Sequence, residues 1–559
     1  METSKPNPNP SQSKARSAFL GLRNFLSPLK IILLCLTQLI DAINTSGVNI
    51  ALPDIAVRLG LDEAMAVWII AAYSMTFGSL MLISGRIGDV FGFRNVFIFG
   101  LLWFGIWSII CGIADNQDLF IVARALQGLG ASATIPNGLA LIVANYEGKA
   151  RDRAIGAFGA SSSLGFTVGL IIGGAFANSV GYQWIFYMSA IVAGVQALLT
   201  VIIIPDDRET NRQVQAEARQ RRAATLAAAG KGTTGDVEAP ADLDDAKVVA
   251  EKKLRWWQRF DYLGAFLITA SLFFLVFFLT EGNSIGWSAP INIVFIVLAA
   301  VFASVFVVVQ VYQGHHALMP LAVWKIPNFA AVFVIMLLGA GAIIAMLFWF
   351  TQLWQYVRNV DALETSIQFL PMGVVIFILT PVIVILLPKV GMRWMLTVAS
   401  CLELVGCVLA VYIDSSVSYW SFPFASIVVV CAGFGGVILT GMMAGMVAAP
   451  PEWRGLVSAL LNVAVQVGAA VCLAITTAIA SGVSSTDAFT ATPAELTAAY
   501  HAAFWSIVAM CGLNIFLAAI FTRHYPMAGE EPAADTTTTT TTTKTSEKPD
   551  SNDVELQQQ

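Results

Sequence analysis

The chain's chemistry gathers around an arginine set inside an apolar run. Residues 118–143, DLFIVARALQGLGASATIPNGLALIV, are long enough to cross a bilayer, at about 1.5 Å per helical residue against a hydrocarbon core of about 30 Å. Arg124 lies near the start of this run. A guanidinium at that depth is costly in lipid, so it belongs in a protein interior or a wet cavity. Gln127, Ala131, Thr134 and Gly138 follow at helical spacings, which gathers small and polar groups on one face and Leu, Ile and Val on the other. The run reads as a helix lining a path. The competing use of Arg124 is to snorkel to the headgroups or to fix a helix contact. In the first apolar run, Gln38, Asp41, Thr45 and Asn49 form a second polar stripe. Asp41 is either a proton-titrating group or a structural hydrogen-bonding one, and both uses stay open.

These residues need membrane helices to position them. The chain has 559 residues, of which 57% are hydrophobic and 12% charged, against about 25% charged in soluble domains. A mean hydropathy of +0.73 and repeated apolar runs predict an all-α multispanning membrane protein. The net charge of −5 carries no orientation signal, and no basic stripe points to nucleic acid. All seven cysteines fall in apolar runs without metal-ligand spacing and read as packing residues. None of the four histidines sits mid-span, which argues against a membrane metalloenzyme. The first 28 residues are polar and Pro-rich, with a weakly amphipathic piece at Phe19, Leu22, Phe25 and Leu26 that suits a membrane surface or a disordered tail. No cleavable signal is expected.

Fourteen spans are expected, near 30–53, 66–84, 95–114, 118–143, 154–177, 183–204, 262–281, 291–313, 329–355, 364–387, 394–413, 420–448, 455–482 and 500–522. One set of short loops carries Arg86, Arg94, Lys149, Arg151, Arg153, Lys325, Lys389, Arg393 and Arg454, while the other carries Arg58 and Arg358. The positive-inside rule then places both termini in the cytoplasm. A Gly-x-Arg echo, Gly92 to Arg94 after span 2 and Gly391 to Arg393 after span 10, suggests repeated halves. The expected organisation is a tail (1–29), a first six-helix unit (30–204), a cytoplasmic linker (205–261), two inserted helices (262–313), a second six-helix unit (314–523) and a disordered tail (524–559) containing the threonine run Thr536 to Thr543.

The loop after span 2 reads Gly85-Arg86-Ile87-Gly88-Asp89-Val90-Phe91-Gly92-Phe93-Arg94. It resembles the signature of the major facilitator superfamily between its second and third spans. Arg124, Gln127, Gly128, Gly130 and Ala131 resemble that superfamily's span-4 motif. Gly156, Gly165, Gly169, Gly173 and Gly174 are spaced like the antiporter motif of its drug:proton exporters, and glycines every four residues make a groove for close helix packing. The fourteen spans resemble the fourteen-span drug:proton antiporter branch, in particular fungal exporters of the aminotriazole-resistance type. Three positions depart from the pattern. Val90 replaces a basic residue, Leu170 replaces a proline, and Asn44 stands where the family pattern has an aspartate nine residues before Pro53. Asp41, three residues earlier, would take over the titrating role.

The resemblance implies a proton-coupled exporter of a drug, toxin, secondary metabolite or organic acid. Its partners would be that solute, protons and the bilayer. No cofactor beyond the proton gradient is expected, and the chain would act as a monomer. The plasma membrane is expected, with a vacuolar or other internal membrane as the alternative. Gln38, Asp41, Asn44, Arg124 and Gln127 would form the coupling path. Gly85, Asp89, Gly92, Arg94 and Arg153 would form a latch at the inner side, with Asp89 meeting a helix N-terminus or Arg153. An uptake symporter and a non-transporting nutrient sensor remain alternatives. Glu403 in span 11 reads as a structural or partly snorkelled acid. Phe348, Trp349, Phe350, Trp354 and Tyr356 read as an interfacial belt, or less often as a pocket lining.

Overall fold

The computed structural model describes residues 10–61, 63–146, 148–204, 261–314, 319–414, 417–450, 453–483 and 491–522. The linker and the threonine-rich tail lie outside the described residues. Among those described, fourteen helices are long and apolar enough to span a membrane, and no strand occurs. They are α1 (Pro28–Leu59), α2 (Met65–Gly88), α3 (Phe93–Ile113), α4 (Gln117–Asn145), α5 (Arg153–Asn178), α6 (Gln183–Ile203), α7 (Tyr262–Gly282), α8 (Pro290–Gln313), α9 (Phe329–Val357), α10 (Ala362–Val390), α11 (Met392–Val411), α12 (Phe422–Ala448), α13 (Arg454–Val483) and α14 (Pro493–Phe521).

Local chemistry sets several helix ends. Gly92 and Gly391 take positive φ values of 94° and 82°, which end α2 and α10 and start α3 and α11. Asn116 accepts from the backbone N–H of Leu119 at 2.8 Å and caps α4. Two expected bounds are corrected. The last span begins at Pro493 rather than near 500, because Thr492 and Glu495 close a capping box there. The first runs on past Pro53 to Leu59, and the same helix extends back to Pro10.

The two six-helix units, α1–α6 and α9–α14, repeat one packing scheme. In the first, α1 packs on α5 and α6, α4 on α2 and α3, and α3 on α6; in the second, α9 packs on α13 and α14, α12 on α10 and α11, and α11 on α14. The Gly-x-Arg echo has a structural cause. Arg94 donates to the Val201 carbonyl at the end of α6 at 2.6 Å, and Arg393 donates to the Ala519 carbonyl at the end of α14. Each arginine ties the start of the third helix of its unit to the end of the sixth. Deeper in, Gln196 of α6 donates to the Leu33 carbonyl at 2.7 Å, and Asn514 of α14 donates to that of Ile335 at 3.3 Å.

The units meet along two crossed seams, α2 against α13 and α5 against α10, with α1 touching α9 between them. The inserted hairpin α7–α8 lies over only one seam, because α7 packs on both α2 and α13. Asp261 at its start is almost fully buried, accepting from Gly264 N at 2.6 Å, from Gln313 at 2.9 Å and from Gln310. Those bonds lock the two inserted helices together where α7 begins.

The end of the bundle bearing Arg94, Arg151, Arg153, Lys389, Arg393 and Arg454 is the basic end. At the opposite, far end, one apolar cluster joins the two units: Leu52, Ile55, Trp68 and Ile69 of the first share it with Phe348, Trp349, Phe350 and Trp354 of the second. Trp349 and Trp354 are fully buried. The expected interfacial belt is therefore corrected, since these rings form a protein core. Phe350 stacks on Trp354 at 5.1 Å, and Trp349 donates to Thr476 at 2.9 Å. Gln355 donates to the Ile50 carbonyl at 3.0 Å across the units, which helps close the far end.

Candidate functional site

Between the units lies a cavity of about 380 Å³, a volume in the range of small-molecule sites. Its two walls differ. The first unit contributes Gln38, Asp41, Thr45 and Asn49 from α1, Ser74 from α2, and Ser162 and Ser163 from α5. The second contributes mainly Met336, Ile343, Leu347, Met372, Phe434 and Met442, with Asn462 and Gln466 of α13 as its polar exceptions. Among the described residues, Asp41 is the sole charged one in the lining. The first unit also contributes Ile70, Phe77, Met81, Ile135 and Phe166, so one carboxylate and a set of neutral polar groups sit in a largely apolar cavity, which suits an amphipathic solute.

Behind Asp41 the wall is built in depth. The Tyr73 hydroxyl donates to Asp41 Oδ1. Arg124 lies over the Tyr73 ring, its guanidinium carbon 4.3 Å from the ring centroid. Arg124 is 1% exposed. It donates to the Ile69 carbonyl at 3.1 Å, to Asn44 Oδ1 at 2.7 Å and to Gln127 Oε1 at 2.6 Å. Gln127 donates onward to Ser108 at 2.7 Å, and Asn44 to Ser189 at 3.4 Å. The cation thus holds α1, α2, α3, α4 and α6 in register through charge-assisted and neutral bonds.

The residues grouped as one coupling path therefore divide. Gln38 and Asp41 line the cavity; Asn44, Arg124 and Gln127 lie in the interior of the first unit. The reading of α4 as path-lining is corrected for its Arg124 face, because Arg124 and Gln127 are buried and do not line the cavity. Tyr73 was missed in the sequence, where it stands alone in the apolar run of α2. The polar pair Asn462 and Gln466, four residues apart in α13, and the run Ser161 to Ser163 in α5 carried a legible signal of a wetted face.

The antiporter-like glycines also divide. A Cβ on Gly165 would strike the backbone of Leu39, one on Gly169 would meet Ile43 and Ser46, and one on Gly173 would meet Gly47. These three press α5 onto α1 within the first unit rather than against the second. Gly174 does look across the units, toward Ala362 and Ser366 of α10. Gly156 has nothing within 4 Å of a built Cβ and takes no part in the packing. Gly165→Ala should lower the melting temperature by several degrees, as overpacking by about 1–3 kcal/mol would. Gly156→Ala should leave it unchanged, and thermal unfolding of the two purified variants compares them directly.

Of the expected latch, Gly85 lies 3.9 Å from Pro136 by its built Cβ, and Gly92 supplies the positive-φ break. Arg94 is bound to the end of α6, and Arg153 is exposed. The side chain of Asp89 lies outside the described residues. Glu403 is fully buried in the second unit, with both carboxylate oxygens lacking a hydrogen bond among the described residues. It is not snorkelled: Gly339 of α9 and Gly433 of α12 approach it within the protein.

Two six-helix units around a central cavity that is closed at one end define a secondary transporter. Comparison with known proteins gives the family. Residues 34–357 match the model of the Major Facilitator Superfamily, and the chain belongs to that superfamily. It is 27% identical over 459 residues to the puromycin resistance protein pur8 of Streptomyces alboniger, covering 81% of this chain and 82% of that protein. It is 24% identical over 460 residues to the low affinity ammonium transporter of Saccharomyces cerevisiae, covering 81% and 80%. It is 26% identical over 434 residues to the multidrug resistance protein Stp of Mycobacterium tuberculosis, covering 77% and 71%. Among solved structures, a bacterial homolog of the human lysosomal transporter Spinster matches with a TM-score of 0.56 at 14% identity, covering 89% of this chain and 96% of that one. The nucleoside transporter NupG matches with 0.54 at 11%, covering 89% and 98%. The yeast relative and both structural neighbours are named as transporters, and the chain, as a member of this superfamily, is a transporter and not an enzyme.

Proposed function

We propose that the chain is a proton-coupled exporter of small amphipathic molecules, with cations favoured. The observation that carries this reading is a single carboxylate, Asp41, on the wall of a cavity whose lining, among the described residues, holds no basic one. Proton and cationic solute compete for that carboxylate. When the solute occupies the cavity, its positive charge neutralises Asp41 and the proton is released. When the solute leaves on the far side, a proton takes its place, and the units return. Tyr73 holds the carboxylate toward the cavity by donating to Oδ1. Arg124, anchored over the ring, fixes Tyr73 in turn. Attraction between the solute and one acid is strong in a low-dielectric pocket and weak in water, so release follows rehydration when the cavity changes sides. The resistance names of the Streptomyces and Mycobacterium relatives support export. The ammonium named for the yeast relative is itself a cation, and it keeps proton-coupled uptake as the second reading.

The basic end faces the cytoplasm in this reading, by the excess of Lys and Arg there. Both termini are then cytoplasmic, and the membrane is the plasma membrane. The protein acts as a monomer driven by the proton gradient, with no cofactor. Purified protein in liposomes with an acidic lumen tests the proposal. An aryl-ammonium dye should accumulate in the lumen, and a protonophore should abolish the accumulation. An aryl-carboxylate dye of the same shape should bind at least about tenfold more weakly, a difference of about 1.4 kcal/mol. Accumulation only when the lumen is the alkaline side would make the protein a symporter. Preference for the anion would refute the role given to Asp41.

A further inference from the structure

The two seams between the units are unequal, and the inequality points to how solute reaches the cavity. Along α2 and α13 the units stay in contact toward the basic end. Gly78 of α2 lies 3.0 Å by its built Cβ from Gln466 of α13. Leu82, farther toward that end, packs against the apolar cluster of the second unit. Over this seam lies α7, whose Ala265 and Ile268 cover Leu80, Leu82 and Ile83. Most of the α2 span is buried, including Ala66 to Met75 without a break.

Along α5 and α10 the contact ends halfway. Toward the far end Gly174 meets Ala362 and Ser366, and at mid-span Gly373 meets Thr167. Toward the basic end the helices are stripped: Ile155, Gly156, Ala157, Gly159 and Ala160 of α5 are exposed, and neither Gly156 nor Gly159 has a neighbour within 4 Å of a built Cβ. On α10, Phe377 is 71% exposed and Ile385 63%. Among the described residues, no helix covers this cleft as α7 covers the other. Its walls run into the cavity, because Gly159, Ser162, Phe166 and Ile376 also line it. The span from Ile155 to Thr167 is about 18 Å of helix, more than half of a hydrocarbon core of about 30 Å. The cleft is therefore a slot open to one leaflet.

We propose that the α5–α10 cleft is a lateral portal, through which solute dissolved in the basic-end leaflet enters the cavity without passing through water. The α7–α8 hairpin is the permanent seal that restricts such access to one side. The portal rests on the transport reading only for its occupant, an amphipathic solute with an alkyl or aryl body. The residues along it, Gly156, Ala157, Gly159 and Ala160, are small and exposed, so no bulky side chain of theirs obstructs that body. The methionine-rich wall receives it inside, and Asp41 meets its polar end.

Two measurements test the portal. A bimane fluorophore is attached to Gly159→Cys and, separately, to Asn462→Cys on the sealed side of the same cavity, with the unsubstituted chain labelled in parallel as background. Both are reconstituted in bilayers containing phospholipid with a nitroxide on the acyl chain. Quenching should be at least threefold stronger at position 159. Equal quenching, whether strong or weak, would overturn the portal. In the second measurement, Gly156→Trp places a bulky ring at the portal mouth. Export of dodecyltrimethylammonium should fall at least fivefold more than export of butyltrimethylammonium. An equal fall for both, or none for either, would overturn it. If the unsubstituted chain moves neither cation, the exporter reading fails, and the quenching contrast still decides the portal.

Discussion

Replacing Arg124 by alanine should abolish transport and destabilise the first unit, and replacing it by lysine should rescue folding far better than activity. The guanidinium supplies three directed bonds, to Ile69, Asn44 and Gln127, and presents a flat face to the Tyr73 ring. In the alanine variant the Asn44 and Gln127 side-chain oxygens are left buried without their donor, while the Ile69 carbonyl keeps its helical bond. Each orphaned acceptor costs about 1–3 kcal/mol, and removing one partner of a buried charged network costs about 3–5 kcal/mol. A fall in melting temperature is the expected sign. The lysine ammonium keeps the positive charge but is a compact point donor, unable to hold separated acceptors while stacking on a ring. It should restore most of the stability and leave transport at least about tenfold down, because Tyr73 would no longer be held against Asp41. Thermal unfolding and proton-driven uptake into liposomes, measured on both variants, separate the two effects. Full activity in the lysine variant would reduce Arg124 to a generic counter-charge.

The fold was largely written in the apolar runs, because hydrocarbon thickness imposes a length and backbone satisfaction imposes a helix. The repeat was faintly legible for the same kind of reason. A glycine at positive φ and an arginine two residues on are what a tight turn with a tie to a neighbouring helix end requires, so the pattern survived at both Gly92 and Gly391. The site was less legible. Hydropathy gives a residue's depth in the membrane but not the direction it faces. Arg124 and Asp41 could each be marked as costly in lipid. Nothing local said that Tyr73 would meet both, since the Asp41–Tyr73 bond joins residues 32 apart and the Arg124–Asn44 bond residues 80 apart. The aromatic residues at the end of α9 were misread for the same reason. Trp349 and Trp354 lie at a depth where a lipid-facing ring would form a belt, but they are buried in the second unit, Trp349 against Thr476 and Tyr500 and Trp354 against Phe369 and Tyr419. The glycines of α5 were recognised as a packing groove, yet their partner, α1 rather than the opposite unit, depended on how the bundle closes.

Asp41→Asn should leave a protein that folds and exchanges solute but no longer concentrates it. Asparagine has nearly the shape of aspartate, and its carbonyl oxygen can still accept from the Tyr73 hydroxyl, so the wall of the cavity is preserved. It cannot bind and release a proton, and it presents no charge to a cation. Coupling requires that the same group be occupied by proton on one leg of the cycle and by solute on the other. A ligand that no longer distinguishes the two legs cannot shift the balance between them. Accumulation against a gradient should therefore fall to the level of protein-free liposomes. Counterflow exchange, which needs no proton, should persist at a reduced rate. Binding of a cationic solute should weaken at least about tenfold and lose its dependence on pH, while binding of a neutral analogue should change little. Asn44→Asp gives the complementary variant. Its carboxylate would sit against Arg124 in the interior of the first unit, outside the cavity lining. In the Asp41→Asn background it should not restore uphill transport. Restoration would show that the coupling acid can work from the interior of the first unit, and the cavity-facing role of Asp41 would fall.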